Sequence, residues 1–96
     1  MIVADFSMIP MGSGTSASRY VRAIYEVLTA SSVKFLPGPM STSLEVNSFE
    51  ELFRIIDAAN ERLKEMGVQR IITNIRIDYR LDKEISIDSK LKAVGP

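Results

Sequence analysis

The chain contains no cysteine and no histidine among its 96 residues. Without cysteine there is no disulfide and no thiolate metal site. Without histidine the chain lacks the commonest neutral-pH acid–base group and the commonest metal ligand. Neither a Ser–His nor a Cys–His nucleophile pair can be assembled. An excess of one charge is missing too: 12 Lys and Arg residues balance 12 Asp and Glu residues. That balance argues against a partner held mainly through phosphates, so no nucleic acid is expected. No run approaches the ~20 apolar residues of a membrane span. The N-terminus has no basic region ahead of an apolar run, so no signal peptide is expected. A single soluble cytoplasmic domain over residues 1–96 is the expectation, and that length buries a core without staples.

What is present is organised around the opening stretch IVADFSMIPMGSGTS, from Ile2 to Ser16. It starts as a strand, with Ile2, Ala4, Phe6 and Met8 on one face and Val3, Asp5, Ser7 and Ile9 on the other. Pro10 has no N–H to donate and is expected to end the ladder. The Gly- and Ser-rich turn leads into a helix capped by Thr15 or Ser16, with Ala17, Tyr20, Val21, Ile24, Val27 and Leu28 on its apolar stripe. Short strands follow over Val33 to Leu36 and Met40 to Val46, separated by Pro37-Gly38-Pro39. Ser48 and Glu51 form a capping-box pattern. The helix behind it offers Phe49, Leu52, Phe53, Ile56, Ala59, Leu63 and Met66 to a core, and Gly67 suits its C-terminal end. A fourth strand is predicted over Gln69 to Asp78, then a polar turn from Tyr79 to Lys83. Ser86 to Val94 patterns as a short C-terminal helix with Ile87, Leu91 and Val94 on one side.

The order βαββαβ predicts an α+β, ferredoxin-like sandwich: a four-stranded antiparallel sheet with strand one inside it and two helices on one face. The other face mixes Val3, Ile9 and Ile72 with polar groups, and those apolar residues point to a self-association surface. RNA-recognition domains share this order, but they need aromatics on the open face. Strands one, three and four place none there.

Polar residues on apolar faces mark the candidate site. Thr73 interrupts an isoleucine row, Thr42 shares a face with Leu44 and Val46, and Asn60 falls within the stripe of the second helix. One reading converges them on a small-molecule pocket, with the small Ala4 leaving room between the threonines. The other has the threonines bonding to backbone and Asn60 at the stripe's edge. The Gly12 to Ser16 turn opens a helix, where free N–H groups attract anions, but it lacks the lysine and spacing of a phosphate loop. Asp5 and Glu45, on the open face, read as solvated or as ion-pair partners of Arg76 or Arg70 across a subunit contact.

MIVADFSMIPMGSGTS, MSTSLE from Met40, and the run from Gly67 through Arg70 and Thr73 to IRIDYRLDK resemble the small YkoF-like thiamine-binding proteins over nearly the whole chain. The resemblance implies a ferredoxin-like fold, assembly into dimers or tetramers, no catalysis, and thiamine or its hydroxymethylpyrimidine portion as ligand. Phe6, Ser7, Pro10 and Met11 match the opening motif, and Thr15, Ser16, Thr42, Glu45 and Thr73 keep the family's residue types. Asn60 stands where many members have histidine, and Val46 where many have glycine. The ligand-binding set implied is Ser7, Ser16, Thr42, Glu45, Asn60 and Thr73, with no metal and no cofactor besides the ligand. Thr42, Thr73 and Asn60 supply donors and acceptors for an aminopyrimidine. Phe6 or Tyr20 supplies a ring face, and Glu45 a charge for the thiazolium. The alternative is a structural or regulatory oligomeric domain that binds another small heterocycle or no ligand.

Overall fold

A computed structural model of the chain describes residues 1–12, 14 and 17–95. The elements run β1 (Ile2–Pro10), α1 (Ser18–Ala30), β2 (Lys34–Pro37), β3 (Thr42–Val46), α2 (Phe49–Glu65), β4 (Ile71–Asp78) and α3 (Ile87–Ala93). The strands form one antiparallel sheet in the order β2-β3-β1-β4. This is the ferredoxin-like arrangement, with β1 inside the sheet as the βαββαβ order predicts. Pro10 does not stop the strand. It pairs with Ile71, and the Met11 amide still donates to the Arg70 carbonyl at 2.8 Å.

The face of β1 carrying Ile2, Ala4, Phe6 and Met8 is buried beneath α1 and α2. From α1 the stripe is Tyr20, Ala23, Ile24 and Leu28, and Ala17 stays exposed at the cap position. The predicted caps Thr15 and Ser16 lie outside the described residues. From α2 the stripe is Leu52, Ile55, Ala59 and Leu63. Phe49 and Phe53, expected in the core, are instead exposed. The α2 stripe turns towards α1 and β1, which leaves those two rings at the side of the helix. Phe49 meets Tyr79 edge-on, with centroids 5.2 Å apart.

Local chemistry sets the ends of the elements. The Ser48 hydroxyl accepts from the Glu51 amide at 3.1 Å. The Glu51 carboxylate accepts from the Asn47 side chain rather than completing a capping box. The reciprocal box occurs at α3, between Ser86 and Ser89. Gly67, at φ +89°, lets the chain turn back after α2, as the sequence suggested. Between β2 and β3 the Gly38 amide donates to the Ser41 carbonyl at 2.9 Å, so Pro39 and Met40 form a two-residue tip. A Cβ on Gly38 would stand 2.6 Å from the Ser41 carbonyl oxygen, so only glycine fits. This tip starts β3 at Thr42, two residues later than its alternation suggested.

The opposite face of the sheet is partly covered by the chain itself. Ile85 and Ile87 pack on Val3 in a small second cluster. Leu91 and Val94, expected beside Ile87, are exposed, because a helix of only seven residues sets just its first turn on the sheet. Ile9 and Ile72 remain open there, side by side across β1 and β4.

Candidate functional site

The β1–β3 ladder ends at the pair Phe6 and Thr42, whereas β1 continues through Pro10 against β4. A notch therefore opens where β3 stops. The β2–β3 tip walls it on one side and the start of α1 on the other. It is a cleft of about 300 Å³ lined by Phe6, Met8, Val21, Ile24 and Thr42, by Ser7 and Ile9, and by Gly38 to Ser41. Phe6 and Met8 are buried and form its floor, and Met40 is exposed at its rim. The volume is at the lower end of small-molecule pockets. Its chemistry is an apolar floor with the hydroxyl of Thr42, and among the described residues no hydrogen bond engages that hydroxyl.

The polar residues expected to converge do so only in part. Thr42 is buried at the notch, opposite Phe6. Thr73 is half-buried opposite Met8, on the far side of β1. The two threonines are thus two strand spacings apart, on the order of 10 Å. Phe6 and Met8 occupy the sheet between them. Ala4 lies one row away, opposite Leu44 and Ile77, and does not separate the threonines. The Asn60 side chain turns back on its own helix and donates to the Ile56 carbonyl at 2.9 Å. Ser7 borders the cleft along β1, but alternation sends its side chain to the opposite face, where a second cleft of about 290 Å³ includes Ser41, Asn74 and Arg76. Ser16 lies outside the described residues. Tyr20 is buried in the α1 stripe with the Arg19 guanidinium 5.0 Å from its ring centroid. Of the two rings considered, Phe6 is the one at the cleft.

The two carboxylates of the open face have partners within the chain. Glu45 is buried and accepts from the Ile87 amide at 2.8 Å, so it seats the first turn of α3. Lys34, opposite Glu45 on β2, pairs with Asp88 at 2.6 Å. Asp5 receives two bonds from the Arg76 guanidinium, one of them from Nε at 3.0 Å, and a longer one from Ser41 at 3.4 Å. The Arg76 hydrogen bonds hold the Asp5 carboxyl below its ordinary value of 3.8, against the upward push of burial. The Asp5–Arg76 contact expected between subunits is thus made within one chain. A third cleft, of about 320 Å³, lies beside this pair, bounded by Val3, Ser43, Asp78 and Lys90.

Comparison with known proteins settles the lineage. The thiamine-binding protein family matches residues 4–95. The chain belongs to that family. The UPF0045 protein YqgV of Bacillus subtilis is 36% identical over 100 residues, covering 99% of this chain and 95% of that protein. The UPF0045 protein MJ1052 of Methanocaldococcus jannaschii is 38% identical over 94 residues, covering 98% and 92%. The crystal structure of the same archaeal protein superimposes with a TM-score of 0.84, covering 97% of this chain and 94% of that one. A Thermotoga maritima protein, described as a proposed thiamine biosynthesis or salvage protein, superimposes with a TM-score of 0.82 over 97% of both chains. At 19% identity it shares the fold. In this member of the thiamine-binding protein family, the strand-end notch sets the Phe6 ring beside the Thr42 hydroxyl.

Proposed function

We propose that the protein binds thiamine, or its hydroxymethylpyrimidine portion, without catalysis, as a homo-oligomeric carrier, buffer or sensor in the cytoplasm. The observation that carries this reading is the notch at the end of the β1–β3 ladder in a chain of this family. Its Phe6 floor suits a flat ring, and the Thr42 hydroxyl offers one donor and two acceptor positions. Among the described residues no helix is long and apolar enough to cross a membrane. The exposed Ile9 and Ile72 supply an apolar contact for a second copy.

Calorimetric titration with thiamine, then with hydroxymethylpyrimidine, tests the reading. Saturable heat near one ligand per subunit is expected, and Thr42→Val weakens binding about tenfold or more by removing a hydrogen bond. Thr73→Val run in parallel locates the ligand. Loss in the Thr42 variant alone places it in the notch, and equal losses place it across β1. No heat and no thermal stabilisation at millimolar ligand would overturn thiamine binding and favour a structural or regulatory oligomeric domain, or one for another small heterocycle. Sedimentation of the free protein reads the oligomeric state separately.

A further inference from the structure

The notch carries a recognition edge that no side chain supplies. In an antiparallel ladder, residues alternate between bonding to one neighbouring strand and to the other. The Met11 amide bonds to the Arg70 carbonyl, directly opposite it in the β1–β4 register. Odd-numbered residues of β1 therefore turn their N–H and C=O towards β4. Even-numbered residues turn theirs towards β3, giving the bonded pairs Ile2–Val46, Ala4–Leu44 and Phe6–Thr42. Pro10 fits this parity independently. Its ring nitrogen faces the β3 side, so it stands in the ladder opposite Ile71 without removing a bond to β4.

Met8 is the next even-numbered residue after Phe6. The register would set it against Met40, but Met40 sits at the hairpin tip and is 86% exposed. The Gly38–Ser41 contact that makes the tip lets β3 begin only at Thr42. The Met8 N–H and carbonyl, side by side on one residue, thus point into the cleft, and among the described residues no strand lies opposite them. An N–H donor beside a C=O acceptor is complementary to a ring nitrogen beside an exocyclic amine.

We propose that the Met8 peptide edge is the polar subsite of the notch and takes the aminopyrimidine edge of a planar heterocycle, its N–H donating to a ring nitrogen and its carbonyl accepting from the exocyclic amine. The ring then lies against Phe6, with Thr42 at its border. This inference rests on the heterocycle-binding reading above and deepens it. It also explains how a site with little side-chain polarity among its described residues distinguishes one flat ring from another: backbone groups fixed by the β1–β4 ladder do the reading.

Met8 is the only methionine in the chain that follows a serine. Protein labelled at the serine carbonyl carbon and the methionine nitrogen therefore gives one amide signal, that of Met8, in a carbonyl-filtered spectrum. On saturation with hydroxymethylpyrimidine, the Met8 amide proton moves downfield, while that of Met66, at the far end of α2 and seen without the filter, stays in place. A pyrimidine with hydrogen in place of the exocyclic amine binds at least about tenfold more weakly in the calorimeter. Binding heat with a stationary Met8 signal, or equal affinity for the two pyrimidines, overturns the Met8 edge and leaves heterocycle binding standing. No binding heat at all overturns the functional reading and the Met8 edge with it.

Discussion

Asp5 shows how much a single side chain depends on its cross-strand neighbour. It sits opposite Arg76 in the β1–β4 register, and the guanidinium bonds to both carboxylate oxygens. A carboxyl held below its unfolded value contributes stability that is present above that value and lost as pH falls through the folded value. Here the ordinary value is 3.8 and the folded one is lower. Thermal melts taken from about pH 7 down to about pH 2 are therefore expected to show a loss below the ordinary value that is smaller in Asp5→Asn. Identical profiles for the two proteins would show that the pair does not couple to folding. Gly38 depends on its neighbour sterically. With 2.6 Å between an added Cβ and the Ser41 oxygen, Gly38→Ala must open the hairpin tip. A loss of roughly 1–3 kcal/mol in urea denaturation is expected. An unchanged midpoint would mean that the tip relaxes freely.

Among the helices, α3 is the one held by the fewest apolar groups. Ile87 and the preceding Ile85 touch Val3, and the Glu45 carboxylate accepts the Ile87 amide. The rim pairs Lys34–Asp88 and Lys90–Asp78 are solvent-exposed, where such pairs contribute little. Glu45→Ala leaves the Ile87 amide without its acceptor and is expected to loosen α3 alone. Amide hydrogen exchange checks this: faster exchange over Ile87–Ala93 with unchanged protection in β1 and β4. Equal loss of protection throughout would make α3 part of the main cooperative unit. This element also shows where sequence reading reached its limit. The Ser86 start and the short span were legible from local spacing. Which face of the sheet the helix would cover was not, because that depends on the path of the 79–85 segment. Local spacing therefore does not show that Glu45 anchors the chain's own helix through the Ile87 amide.

At the scale of the whole molecule, one core between two helices and the sheet carries the stability, and Leu28, Leu44, Leu52, Leu63 and Val46 are its fully buried side chains. Leu63→Ala should destabilise the protein by about 2–5 kcal/mol, since the tight α2–sheet layer relaxes little around a cavity. Denaturant titration with an unchanged slope would attribute the loss to the folded state, and a loss well under 1 kcal/mol would mean the site collapses readily. The cleft borders this core and shares Phe6, Met8 and Ile24 with it. It exists because β1 is longer than β3, a mismatch between two strands rather than a property of either.

The sequence by itself determined the element order and the ferredoxin-like sheet, because periods of two and of three to four residues are local signals. It also determined that β1 lies inside the sheet, that Ser48 caps α2 and that Gly67 ends it. The resemblance in its motifs pointed to the thiamine-binding protein family, to which the chain belongs. Only the tertiary structure decided the site. Thr42, Asn60 and Thr73 lie on three elements, and their distances follow from strand register and helix rotation, neither of which is written in local spacing. Register put Thr42 opposite Phe6 and Thr73 opposite Met8, while the Asn60 side chain bonds back one turn to the Ile56 carbonyl of its own helix. The cleft itself arises from backbone: β3 stops at Thr42 while β1 runs on to Pro10, and no side-chain pattern records where a neighbouring strand ends.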